Sequence, residues 1–180
     1  MPFTEENFIA TILGKKTETR RLSAKPKCAV GDRVYLCEPT RITDVRGVQD
    51  VFVEYFWYDK NSLWHTLTQD NCEKLNKRKT GMFSKQLPRF MLKSFARFHA
   101  DITSVHQENL LEITEKGAIA EGIREPVNGL YFDYLSGKYQ CTSPIDSYLS
   151  EIAKLNKQSF EAVISDDPLV WVYKYDFVSD

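Results

Sequence analysis

Near its start the chain sets Phe8, Ile9, Ile12 and Leu13 at helical spacing, behind Thr4 and the acidic pair Glu5 and Glu6. Such a stripe, with a hydroxyl to cap it and carboxylates in the first turn, predicts a short helix that stops at Gly14. Val34-Tyr35-Leu36-Cys37, opened by a Gly-Asp turn and stopped by Pro39, predicts a strand. The β-branched and aromatic run from Val48 to Asp59 predicts another. Residues 62–86 are polar and irregular and read as a long loop with one helical turn. Phe95 to Gln107 has strand character, and Gln107 to Ile123 reads as two short helical turns with acidic faces. A polar insertion containing Gly and Pro follows from Arg124 to about Ser143. From there to Val163, the spacing of Tyr148, Leu149, Ile152 and Leu155 predicts an amphipathic helix. Apolar and polar residues alternate from Val170 onward, marking a closing strand. Strands broken by short helices and long loops predict an α+β, β-rich fold around a small mixed barrel.

Composition narrows the class. With 180 residues, 42% of them hydrophobic and 27% charged, the chain has enough material for one domain with a proper core. A formal net charge of −1 argues against wholesale electrostatic binding of a long duplex, while leaving room for a local basic patch. Cys28, Cys37, Cys72 and Cys141 form no C-x-x-C pair, and no histidine completes a zinc spacing, so reduced thiols and no metal or other cofactor are expected. The acidic N-terminus does not read as a signal peptide, and no run approaches a membrane span, so the expectation is a cytoplasmic protein without membrane contact.

One stretch resists that bland picture. "LGKKTETRR", Leu13 to Arg21, concentrates cations just past a helix end. Lys15 and Lys16 there fit charges facing the negative end of a helix dipole. Thr17 and Thr19, alternating with charged residues, also fit a solvated edge strand.

The segments "ILGKKTETRR", "VGDRVYLCEP", "LPRF", "ITEKGAIAEGI" and "DPLVWVYKYDF" follow one another in that order. In them the chain resembles the ASCH domain family, whose fold is like that of the PUA RNA-binding domain, and it looks closest to ASCH-like proteins of bacteriophages and prophages. Such a phage origin would place it in the host cytoplasm. "LPRF" stands where "MPRW" is usual, and "VYLCEP" replaces "WVRE", keeping its carboxylate as Glu38 with Cys37 at the arginine's place. The resemblance implies a single PUA-like domain over residues 1–180, a small pseudo-barrel with flanking helices, with insertions around 60–85 and 124–143. One branch of the family, the small bacterial N4-acetylcytidine amidohydrolases, carries a "G-x-K-T-x-T-x-R" motif and a downstream glutamate. Aligned on Gly14, that likeness implies catalytic roles for Lys16, Thr19 and Glu121, with Arg21 at the motif's arginine.

Those residue types suit amide hydrolysis. On a helical turn Lys16 and Thr19 would share a face, so the lysine, crowded by Arg20 and Arg21, can take the hydroxyl proton. Glu121 can hold the lysine or pass protons to the leaving amine, and the arginines can hold a ribose, a phosphate or an oxyanion. Glu38, at a strand end, is a weaker candidate for the same cleft. Equally, Glu121 before Gly122 reads as a turn residue at a helix end. His65, His99 and His106 read as structural; Trp57, Trp64, Phe56 and Tyr58 have the chemistry to stack on bases, although the run Val51 to Asp59 reads mainly as core, as does Trp171. The basic run Lys74 to Lys85 reads as a solvated loop. The expected ligand is a nucleoside or RNA-like molecule. The rivals are a non-enzymatic RNA-binding module and a phage accessory protein that works through protein contacts.

Overall fold

The computed structural model describes residues 3–47, 49–57, 59–77 and 83–179. Among them the fold is α+β, with five α-helices and nine strands in a four-stranded, a three-stranded and a two-stranded sheet, and no closed barrel. Among the described residues no helix is long and apolar enough to cross a membrane. The chain divides into two compact units. One comprises Met1–Ile9, Val34–Ala100 and Val178–Asp180, and the other Ala10–Arg33 and Asp101–Phe177. Helix α1 (Glu5–Ile12) opens behind Thr4, whose hydroxyl accepts from the Asn7 amide at 3.3 Å, as its capping pattern predicts. Strand β2 (Arg33–Tyr35) is shorter than the run expected to Cys37.

In the first unit, strands β3 (Thr40–Arg46), β4 (Asp50–Tyr55) and β5 (Ser62–Thr66) form an antiparallel sheet in chain order. Ile42, Val51, Val53 and Tyr55 point to one side and join Cys37, Leu67, Leu75, Met91 and Phe95 in a closed core. The loop expected over residues 62–86 is therefore corrected in its first half. Ser62–Thr66 pairs with β4, and helix α2 (Gln69–Asn76) follows, capped by the Thr68 hydroxyl on the Asn71 amide. Only Leu75 of that helix is buried, so its sequence carries almost no apolar stripe. Tyr58 and residues 78–82 of the basic run lie outside the described residues.

The second unit holds β1 (Glu18–Arg21), β9 (Leu169–Ser179) and most of β6 (Phe98–Asn109), in the order β1-β9-β6 with β2 beyond β6. Helices α3 (Glu115–Ala120), α4 (Pro144–Asn156) and α5 (Phe160–Asp166) supply Ala118, Tyr148, Leu149, Ala153 and Val163 to a core shared with Val170 and Val172 of β9. The helix expected from Ser143 to Val163 is two helices, because Lys157 turns left-handed (φ 56°) and Ser159 caps a new start. The expected insertion at 124–143 contains a hairpin, β7 (Tyr131–Asp133) and β8 (Lys138–Cys141), in which Phe132 and Tyr139 meet edge to face at 5.2 Å. Of the four cysteines only Cys37 is buried.

Candidate functional site

The basic stretch folds as a bend and a strand, which corrects the helical turn expected to align Lys16 with Thr19. After Gly14 (φ 71°) the amides of Lys15 and Lys16 return to the Ala10 carbonyl at 2.8 and 3.0 Å. The Thr17 amide then bonds the Ala120 carbonyl at 2.9 Å, and β1 runs antiparallel to β9. That one bond carries the chain from α1 past the C-terminal end of α3, where Glu121 is the cap.

Lys16 and Glu121 meet there. The Lys16 ammonium donates to Glu121 Oε2 at 2.6 Å and to the Glu121 carbonyl. The second carboxylate oxygen, Oε1, accepts from Arg20 Nη1 at 3.2 Å and from the Tyr148 hydroxyl at 3.4 Å. Arg20 also donates from Nε to Glu108 at 2.7 Å and lies 3.4 Å from Glu18, which in turn meets Lys174 at 3.0 Å. Lys16 is 2% exposed, Glu121 4% and Arg20 9%. Buried charges of this kind persist only when each has partners, and each here has at least two. Burial acts to lower the Arg20 pKa, but the Glu121 and Glu108 carboxylates outweigh it and hold the guanidinium above its ordinary value. Burial, then the neighbouring Glu121 charge, pushes the Tyr148 phenol well above its usual range.

Two glycines make room for this cluster. A Cβ on Gly122 (φ 83°) would sit 2.8 Å from the Lys16 Cβ, and one on Gly117 would sit 3.0 Å from Arg20 Nη2. The Glu121-Gly122 pair is thus a turn at a helix end and also the lid of the Lys16 pocket.

Side chains alternate along β1, so Glu18 and Arg20 share the face toward Glu121 while Thr19 and Arg21 point the other way. Thr19 is buried, opposite Tyr173 on β9. Arg20, Arg21, Lys27 and Tyr148 border a cleft of about 400 Å³ whose apolar wall includes Leu110, Ile152 and Val170. Lys16, Thr19 and Glu121 are not among its lining residues, but Arg20 and Tyr148 touch both the cleft and Glu121.

Glu38 belongs to the first unit, where Arg97 grips it in a two-pronged pair at 2.9 and 3.0 Å. Arg97 also reaches Asp59 at 2.5 Å and covers the Tyr55 ring at 4.1 Å. Burial pushes the Glu38 carboxyl up to about 7 against the pull of Arg97. His65 shares a 2.6 Å hydrogen bond with the Tyr55 hydroxyl. Glu108, Tyr148 and Arg97 were missed by sequence reasoning: Tyr148 read as one more apolar position of its helix, and neither charge had a local partner to mark it. No group of three or more His, Cys, Asp or Glu among the described residues is arranged to hold a metal ion. No protein-family model, curated protein or solved structure matches this chain.

Proposed function

We propose that the chain is a nucleoside- or RNA-binding protein of the ASCH, PUA-like kind with its ligand site in the second unit, and that its reaction is hydrolysis of an N-acylated nucleoside such as N4-acetylcytidine. The observation supporting this is the buried Lys16–Glu121 pair, formed by residues 105 apart in the chain, one side chain behind a cleft bordered by Arg20, Arg21 and Lys27. A volume near 400 Å³ falls in the range of small-molecule sites. A lining that mixes cations with Tyr148 and aliphatic residues suits a ligand that carries both polar oxygens and a flat ring. In the reaction, Lys16 first gives a proton to the Glu121 carboxylate and, now neutral, takes the Thr19 Oγ proton as Oγ bonds to the acyl carbon. The C–N bond breaks with a proton delivered to the amine through Glu121, and water then cleaves the threonyl ester.

Recognition without catalysis has its own support. The Lys16 ammonium is held by both the carboxylate and the carbonyl of Glu121, and β1 turns Thr19 away from the face that Arg20 and Glu121 share. Conversion of N4-acetylcytidine to cytidine, measured beside calorimetric binding of cytidine, separates the readings. The enzyme reading expects turnover that disappears in Thr19→Val and Lys16→Ala while cytidine still binds the Thr19 variant. Binding without turnover identifies a recognition module. Neither binding nor turnover by folded protein refutes both and points to protein contacts through residues 60–85 or 124–143.

A further inference from the structure

The outer face of the three-stranded sheet in the first unit carries chemistry that the cleft does not use. Strand pairing sets Phe52 beside Trp64, Arg41 beside Glu54 and Arg46 beside Asp50. Val51, Val53 and Tyr55 fill the core, so their alternating neighbours on β4 face outward. Trp64 is 41% exposed and its ring lies 5.1 Å from that of Phe52. Cations lie over these rings: Arg46 is 4.4 Å from the Trp64 centroid, and Lys85 and Arg41 are 3.9 and 5.6 Å from that of Phe56. The acids on the face are Asp44, Asp50 and Glu54. Glu54 is occupied by Arg41 at 2.6 and 2.9 Å, Asp50 by the Thr66 hydroxyl at 2.7 Å and Asp44 by the Val45 amide at 2.8 Å.

Rings interleaved with cations, Trp64 exposed and Phe52 and Phe56 half-buried, match a partner that alternates flat rings with negative charges. A single nucleic-acid strand does this, with bases to stack and phosphates between them. An acidic peptide would satisfy the cations and offer nothing flat to stack on the exposed Trp64 ring. We infer that this face docks a single strand of nucleic acid, with Trp64, Phe52 and Phe56 stacking its bases and Arg46, Arg41 and Lys85 meeting its phosphates. The site is separate from the cleft and does not rest on the reading of it.

Anisotropy of a fluorescein-labelled, unstructured RNA octamer with the full chain tests this. Three phosphate contacts give an expected slope of log affinity against log salt of about −2. Trp64→Ala should weaken binding roughly 5- to 150-fold, the range for one lost base stack, while Trp64→Tyr retains most of the affinity. Arg46→Ala should flatten the salt slope by about 0.7. Lys138→Ala, an exposed cation on β8 that belongs to neither the face nor the cleft lining, should leave octamer affinity unchanged. The inference is overturned if no binding is detected, if Trp64→Ala binds like the parent, if Lys138→Ala abolishes binding, or if polyglutamate displaces the octamer at matched charge.

Discussion

Gly122 shows most directly how single side chains decide the Lys16 pocket. Its left-handed backbone alone would cost alanine about 1–2 kcal/mol, the general penalty for that region. The 2.8 Å approach to the Lys16 Cβ adds an overpacking cost, so Gly122→Ala should lose about 2–4 kcal/mol of stability in urea unfolding. Gly14 is the control: it is also left-handed, at φ 71°, but has nothing within 4 Å, and Gly14→Ala should lose only about 1 kcal/mol. Equal losses would mean that the close approach costs nothing. A similar asymmetry holds for the ion cluster. Glu121 neutralises both Lys16 and Arg20, so Glu121→Gln takes the carboxylate charge from Lys16 and one of three carboxylates from Arg20, and should cost about 3–5 kcal/mol. Lys16→Met leaves Glu121 still paired with Arg20 and should cost clearly less in the same experiment. In the first unit, Glu38 titrates near 7 when folded against an ordinary 4.5, so the folded state binds its proton more tightly than the unfolded state does. The stability this contributes is complete below about 4.5 and is lost as pH rises through about 7. Unfolding of the parent relative to Glu38→Gln should therefore show a loss of order 3 kcal/mol across that window. A difference flat with pH would show that Arg97 keeps Glu38 charged throughout.

The elements that were legible beforehand are those whose residues carry their own periodicity. Helix α1, strands β6 and β9 and helix α4 each bury one stripe or alternate set. Strand β5 and helix α2 do not, because Ser62–Thr66 is specified by its pairing with β4 and α2 buries only Leu75. The β7–β8 hairpin is hidden in the same way, held by aromatic contacts and by the Ser147 hydroxyl on the Phe132 carbonyl at 2.6 Å rather than by a hydrophobic run. At the candidate site, Lys16 and Glu121 were singled out only through a family resemblance, since no spacing rule joins residues 105 apart. Tyr148, which donates to Glu121, and Glu108, which accepts from Arg20, carried no local signal of those roles. The break between α4 and α5 was missed because the apolar spacing continues across it, while the backbone at Lys157 does not. That position invites a substitution: Lys157→Gly relieves a left-handed lysine and should raise stability by about 1 kcal/mol. Ser159→Ala removes the cap on the Ala162 amide and should lower it by about the same amount in chemical denaturation.

Neither compact unit is a contiguous piece of chain, and the places where the chain passes from one to the other are informative. The four passages fall between residues 9 and 10, 33 and 34, 100 and 101, and 177 and 178. These lie within α1, β2, β6 and β9 respectively, so none is a loop or a Gly- and Pro-rich linker. Domains that unfold separately are usually joined by exposed flexible segments that few contacts cross, and this chain has regular backbone hydrogen bonding at every passage. Melting one unit alone would require fraying four elements in mid-length and giving up part of their ladders in both units. Calorimetry should therefore record one transition, with an enthalpy of about 130 kcal/mol near 60 °C for a chain of 180 residues and a van't Hoff value equal to it. Glu121→Gln, which acts in the second unit, should lower that single midpoint without splitting it. Two resolved transitions, only one of them moved by Glu121→Gln, would show instead that the shared elements break at the boundary, and that the cleft and the aromatic face sit on independently stable bodies.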